Sequence, residues 1–290
     1  GYTRIERKLD EIRTLIIEPH IQPNNPNSCL VKLGNTHVLC SAVIEDRVPG
    51  FLRNSGKGWL TAEYGMLPSS TNERVDREAA RGKQSGRTQE IQRLIGRSLR
   101  CAVNLDILGE KTIKVDCDVI SADGGTRTAS IIGGYVSLTR AINLYKKKYN
   151  LNNPIIVNQI AAISVGVVKG TACIDLDYPE DSSAEVDCNV VMSGDGQFIE
   201  FQSTGEEAKF TKQICCICTL IYFVILYQLC IKNNTSSPHL QDVKAKDHIQ
   251  IPVIASVISL LFTQLASTFL LENFFFMQMT LLFQNMLSIC

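Results

Sequence analysis

Apolar and polar residues alternate through Ile113, Val115, Cys117 and Val119, the period of a half-buried strand. Further on the period lengthens, and Ile131, Tyr135, Leu138, Ile142 and Tyr145 recur on one helical face. Between the two patterns stands Gly124-Gly125-Thr126-Arg127, where strand turns into helix with Thr126 as the expected N-cap. Alternation also predicts strands over 28–33 and 37–44 joined at Gly34-Asn35, and a second hairpin over 161–168 and 171–178 turning at Lys169-Gly170. A loop over 179–183 then leads to a strand with Val186, Cys188, Val190 and Met192 on one side and Asp187 and Asn189 on the other, and 198–202 reads as the last strand. A helix is predicted from Thr88, burying Ile91, Leu94, Ile95 and Leu99; Arg93, Arg97 and Arg100 lie on another face, with Glu90 paired to Arg93.

This mixture of charges, glycines and short strands is that of a soluble globular domain. It ends near Thr211, after which the chain becomes strongly apolar. Lysine plus arginine and aspartate plus glutamate number 29 each, so a nucleic-acid surface has to be local rather than global. The 11 cysteines are scattered without zinc-site spacing, and the start, at Gly1, shows no signal-peptide pattern; both point to a reducing cytosol.

Three stretches carry candidate chemistry. The Gly124–Arg127 turn leaves the first helical N–H groups beside Arg127, an arrangement suited to phosphate, although a plain strand-to-helix connection uses the same residues. Residues 74–100 hold Arg74, Arg77, Arg81, Lys83, Arg87, Arg93, Arg97 and Arg100; Arg87 follows the glycine-bounded loop 82–86 and precedes a helix start, as Arg127 does. Asp175, Asp177, Glu180, Asp181, Glu185 and Asp187 form an acidic segment whose spacing is wrong for an EF-hand; it suits either a magnesium ion held by one or two carboxylates or ordinary solvated residues. Residues 2–18, with Arg4, Arg7, Lys8 and Arg13, read as a surface segment, and the lone Trp59 reads as core rather than as a base-stacking platform.

Four stretches in order carry a resemblance: Gly58-Trp-Leu-Thr-Ala-Glu-Tyr-Gly-Met-Leu-Pro68, then 81–100, then Asp116-Cys-Asp-Val-Ile-Ser-Ala-Asp-Gly-Gly-Thr-Arg-Thr-Ala-Ser130, then 177–192. From residue 2 to about 207 the chain resembles the ribonuclease PH family of phosphate-dependent 3′-to-5′ exoribonucleases, which act as tRNA nucleotidyltransferases on transfer-RNA precursors. The resemblance implies an α+β fold of ribosomal protein S5 domain 2-like βαβ architecture in two similar halves, followed here by an atypical apolar C-terminal tail. It implies inorganic phosphate as co-substrate, bound by Arg87, Gly125, Thr126 and Arg127, and a catalytic, metal-holding pair in Asp181 and Asp187, the metal being Mg2+. Arg127 counts with that pair as catalytic, and Arg74, Arg77 and Arg81 are expected to guide RNA. The implied partners are tRNA precursors with a 3′ extension and five further copies in a homohexamer, a trimer of dimers, in the cytoplasm.

The family pattern breaks after Lys209-Phe210-Thr211, so the expected division is 1–211 and 212–290. Relatives continue into an amphipathic helix. This chain instead runs 18 residues without a charge over 214–231 and 21 over 251–271, lengths at which a transmembrane helix enters consideration. The abruptness favours a frameshifted or misread end; a two-helix membrane anchor, or a thiol cluster at Cys215, Cys216 and Cys218, is the alternative. The corresponding rival function is a non-enzymatic, unstable or membrane-associated product whose ring does not assemble.

Overall fold

The computed structural model describes residues 2–195 and 197–205. The expected boundary at 211, both apolar stretches and the thiol cluster lie outside the described residues. Among the described residues no helix is long and apolar enough to cross a membrane.

The first half begins with β1 (Leu15–Pro19), β2 (Cys29–Leu33), β3 (Thr36–Glu45) and β4 (Trp59–Met66). Helices α1 (Gly86–Arg100) and α2 (Leu105–Leu108) then lead to β5 (Thr112–Ser121), and the long α3 (Thr126–Tyr149) follows. Its sheet has the order β1-β2-β3-β5-β4, with β4 and β5 parallel across the α1 crossover and the other pairs antiparallel. The second half contains β6 (Ile160–Val168), β7 (Thr171–Ile174), α4 (Tyr178–Ser183), β8 (Val186–Ser193) and β9 (Phe198–Gly205), in an antiparallel sheet ordered β7-β6-β8-β9.

Helices α1 and α3 lie between the two sheets. The predicted stripe Ile91, Leu94, Ile95 and Leu99 is fully or almost fully buried, and it shares one core with Val115, Cys117 and Val119 of the first sheet and Ala162 and Val191 of the second. Burying a side chain of that size is worth ~1.5–3 kcal/mol. Gly133 lets α3 sit close to the first sheet, because a Cβ there would meet Cys40 Sγ at 2.5 Å.

Strand alternation in β8 falls as the pattern predicts. Cys188, Val190 and Met192 join a separate cluster on the far side of the sheet, whereas Val191 packs into the helix-side core. Asp187 and Asn189, at the same parity as Val191, therefore lie on the face turned to α1 and α3. Register adds Gln202 of β9 to that face, since it pairs with Asn189.

Several expectations are corrected. Segment 2–18 lies at the surface as expected, with none of its residues fully buried, but Arg4, Arg7 and Arg13 turn inward, with side-chain exposures of 4, 12 and 9%. The helix after the glycine turn is capped by Gly125, and Thr126 is its first helical residue, because the cap position has a left-handed φ of +69° that favours glycine. Helix α1 starts at Gly86, where the Ser85 side chain accepts from the Thr88 N–H. The second hairpin strand stops at Ile174 because Asp175 turns to a φ of +50° and Asp177 caps α4, which replaces the expected loop. Glu90 pairs with Arg127 rather than Arg93, and Arg100 leaves the solvated face to donate to the Leu60 carbonyl.

Candidate active site

The strand-to-helix turn is held from behind by its carbonyls. Thr36 Oγ1 donates to the Gly124 carbonyl at 2.6 Å and accepts from the Asp123 N–H at 2.9 Å. The Arg13 guanidinium donates to the carbonyls of Asp123 and Gly124 at 2.5 and 3.3 Å. Gly124, at φ +72°, has no room for a Cβ, which would clash with the Leu176 carbonyl and the backbone of Asp177. With the carbonyls engaged at the back, the N–H groups of the first turn of α3 point away without intrahelical partners. That turn carries no acidic residue, and α3 runs 24 residues, so its dipole favours an anion at this end.

Two arginines flank the turn. Arg87 is exposed in the first turn of α1, whose start is fixed by Ser85 and by Glu78, which accepts from the Ser85 N–H at 3.2 Å and the Thr88 hydroxyl at 2.8 Å. Arg127, 18% exposed, donates through Nη1 to Gln202 Oε1 at 3.3 Å and faces Glu90 Oε2 through Nη2 at 3.5 Å. Gln202 Nε2 in turn donates to Glu90 Oε1 at 3.2 Å. Buried Tyr64 donates to the Thr126 hydroxyl at 3.0 Å. Burial pushes the Tyr64 phenol up, while the Thr126 contact and the charges of Arg87 and Arg127 oppose that shift.

The acidic segment divides sharply. Asp175 and Glu180 are 1 and 3% exposed and serve the N-terminal arginines. Arg4 grips Glu180 with two bonds of 2.6 and 2.7 Å, and Arg13 grips Asp175 with two of 3.0 and 2.8 Å. Arg7 spans both carboxylates at 3.5 and 3.2 Å, and Tyr2 Oη adds a bond to Glu180 at 3.0 Å. Burial alone would push the Glu180 carboxyl up, but the Arg4 bonds and charge outweigh it and hold the group below the usual carboxylate range. Asp177 caps α4 in a capping box with Glu180, and Glu185 accepts from the Gly170 N–H. Of the six, Asp181 stands exposed in α4, and Asp187 lies half-buried on the helix-side face of β8.

Two carboxylates are a sufficient protein contribution for Mg2+, which keeps several waters and takes further ligands from substrate phosphates. A dedicated all-protein site is a different matter: no group of three or more His, Cys, Asp and Glu suited to a metal occurs among the described residues. Asp181 and Asp187 are donors of the type that such a shared magnesium site uses.

The remaining basic residues lie apart. Arg74 and Arg81 are exposed and both pair with Asp76 at 2.9 Å, while Arg77 is exposed just before a 3₁₀ turn at Glu78–Arg81. Trp59 is half-buried, with the Arg100 guanidinium 4.7 Å from its ring centroid and Phe51 edge-on at 5.5 Å, so its ring is occupied from two sides. Arg13, Thr36, Tyr64, Glu90 and Gln202 are the site residues that sequence reasoning missed. Only the six carboxylates of 175–187, with no basic residue among them, pointed toward part of this arrangement.

A layered fold of two halves with a cationic turn between them defines a class, and the comparisons agree with it. Two family models match, "3′ exoribonuclease family, domain 1" over residues 11–142 and "3′ exoribonuclease family, domain 2" over 158–218. The chain belongs to the ribonuclease PH family. It is 54% identical over 210 residues to the ribonuclease PH proteins of Neisseria meningitidis serogroups C, A and B, covering 72% of this chain and 87% of each relative. Among solved structures it resembles a chain of the Archaeoglobus fulgidus exosome with RNA bound to the active site (TM-score 0.66, 19% identity, 79% of this chain and 92% of that one). It also resembles rice Rrp46 (TM-score 0.64, 15% identity, 79 and 97%). At those identities the likeness shows the fold alone, the ribosomal protein S5 domain 2-like architecture.

Proposed function

We propose that the chain is a phosphate-dependent 3′-to-5′ exoribonuclease, a tRNA nucleotidyltransferase that shortens RNA from its 3′ end by releasing nucleoside diphosphates. The observation that carries this reading is the start of α3, a 24-residue helix whose first turn holds Arg127 and no acidic residue, in a chain 54% identical to ribonuclease PH.

The reaction joins two anions. A phosphate oxygen attacks the phosphorus of the terminal phosphodiester, the bond from phosphorus to the upstream 3′-oxygen breaks, and that oxygen takes up a proton. The products are a nucleoside diphosphate and an RNA one nucleotide shorter. Little covalent work falls to the protein, so positioning and charge neutralisation supply the catalysis. Arg87 and Arg127 present planar forks to phosphate oxygens, and the N–H groups of Gly125, Thr126 and Arg127 complete the cradle. Asp181 and Asp187 would hold Mg2+ in this reading, and the chemistry it would supply is neutralisation of charge on the leaving oxygen. Arg74, Arg77 and Arg81 guide the RNA backbone toward the cradle. The substrate is a tRNA precursor with a 3′ extension, and the working assembly is a cytoplasmic homohexamer, a trimer of dimers.

The test is degradation of an RNA with a free 3′ end, with and without inorganic phosphate. Nucleoside diphosphates that appear only with phosphate support the reading. Release of monophosphates in its absence, or a particulate protein with no activity, overturns it.

A further inference from the structure

Arg127 is held in a closed ring of three side chains from three elements. Gln202 of β9 accepts from Arg127 and donates to Glu90 of α1, which faces Arg127 in turn, at 3.3, 3.2 and 3.5 Å. The direct Arg127–Glu90 separation is long for a charge-assisted contact, which closes to about 2.7–2.9 Å. The amide between them is what closes the ring. Its orientation is fixed, because turning it over would set an NH2 group against the guanidinium and an oxygen against the carboxylate.

We infer that Gln202 is a positioning residue for phosphate binding: it fixes the Arg127 fork and keeps Glu90 from forming the tight bidentate pair that would occupy it. The inference rests on the reading of Arg127 as a phosphate ligand. A guanidinium has five N–H donors; one is spent on Gln202 and one turned toward Glu90, which leaves the rest for an incoming anion. A neutral amide suits this place. A carboxylate there would add a second negative charge beside the anion site, and an apolar residue would leave Nη1 undirected. Gln202 also lies on the face of the second sheet that bears Asp187, since it pairs with Asn189 and Asp187 is two positions away along β8. The same residue therefore sets the phosphate arginine against the strand that carries Asp187.

Steady-state phosphorolysis by the full chain tests this, with phosphate varied against saturating RNA. In Gln202→Ala, and in Gln202→Met, which keeps the volume, KM for phosphate rises about tenfold, the scale of one hydrogen bond to a charged group. RNA affinity and the phosphate-free thermal midpoint stay at the parent value, and the midpoint rise induced by phosphate shrinks. Adding Glu90→Gln to Gln202→Ala gives less than the sum of the two single effects. An unchanged KM for phosphate in both Gln202 variants, alongside an inactive Arg127→Ala, overturns this inference alone. Normal phosphorolysis by Arg127→Ala overturns the phosphate reading and the inference with it. A fall in RNA affinity equal to the rise in KM assigns Gln202 a general structural role and also overturns the inference.

Discussion

Behind the Gly124–Arg127 turn and in front of it, the same two residue types meet under opposite conditions. Behind it, Arg4, Arg7 and Arg13 close on Asp175 and Glu180, and none of these side chains is more than 12% exposed. In front, Arg87 and Asp181 are exposed, Asp187 is half-buried, and Arg127 is held at 3.3 and 3.5 Å. The rear network is saturated, with two carboxylates receiving three guanidiniums through short, partly bidentate bonds. The front presents the Arg127 fork and the first helical N–H groups of a turn that holds no acidic residue, the balance that the proposed phosphate would restore. The rear network stabilises the scaffold by fixing the turn's carbonyls, and the front can exchange partners because its contacts are long.

The most severe way to break this contrast is Asp175→Asn. It leaves Arg13 and Arg7 buried against a neutral group, and removing one partner of a buried pair costs about 3–5 kcal/mol. Urea unfolding should show a loss of unfolding free energy of that size, and a change under about 1 kcal/mol would mean that the network is not closed. The converse substitution is Arg127→Ala in front. Loss of one preorganised charge-stabilising donor lowers phosphorolysis by about 10²–10³-fold. RNA binding and the urea midpoint hardly move, which single-turnover assays and denaturation on the same sample would check.

Acid separates the two regions next. The Glu180 carboxyl is held low in the folded state, so its contribution to stability is complete above the unfolded value of about 4.3 and is lost as pH falls through the lower folded value. Asp116 and Asp118 behave oppositely: burial first, and then the charge of Glu63, raise both carboxyls, so their protonation relieves a cost as pH falls. Urea midpoints measured from neutral pH into acid should therefore decline less steeply below the unfolded Glu180 value in Glu180→Gln than in the parent. Parallel curves would remove Glu180 from the acid response.

The front of the turn was legible because its residues are contiguous: two glycines, a threonine and an arginine at a change of hydrophobic period need no distant partner to be recognised. The rear was not, because Arg13 finds Asp175 across 162 residues and no local pattern marks that pairing. A segment with four basic residues in thirteen reads as solvated unless its carboxylates are already known. Glu90 shows the same failure at shorter range, since the helical neighbour Arg93 lost to a tertiary partner, Arg127. Helix α4 was readable in principle. Asp177-Tyr-Pro-Glu180 is a capping box with proline in the first turn, but six residues are too few to show a helical period.

The smallest predicted effect sharpens the contrast within the exposed arginines themselves. Asp76 already accepts from Arg74 and Arg81 at 2.9 Å each, and its carboxyl is held low by those bonds, Arg81 first and Arg74 second. An RNA phosphate must compete with that carboxylate for either guanidinium, so part of the gain from contact is offset by the pair that is lost. Arg77 is exposed between them and forms no such pair among the described residues. If all three guide RNA, Arg77→Ala should weaken binding most at low salt and reduce the slope of log affinity against log salt by about 0.7, the release of one counterion from a single strand. Arg74→Ala should reduce it by less. Equal slopes for the two variants would show that Asp76 does not restrain its partners, and an unchanged slope in Arg77→Ala would remove that residue from the RNA path.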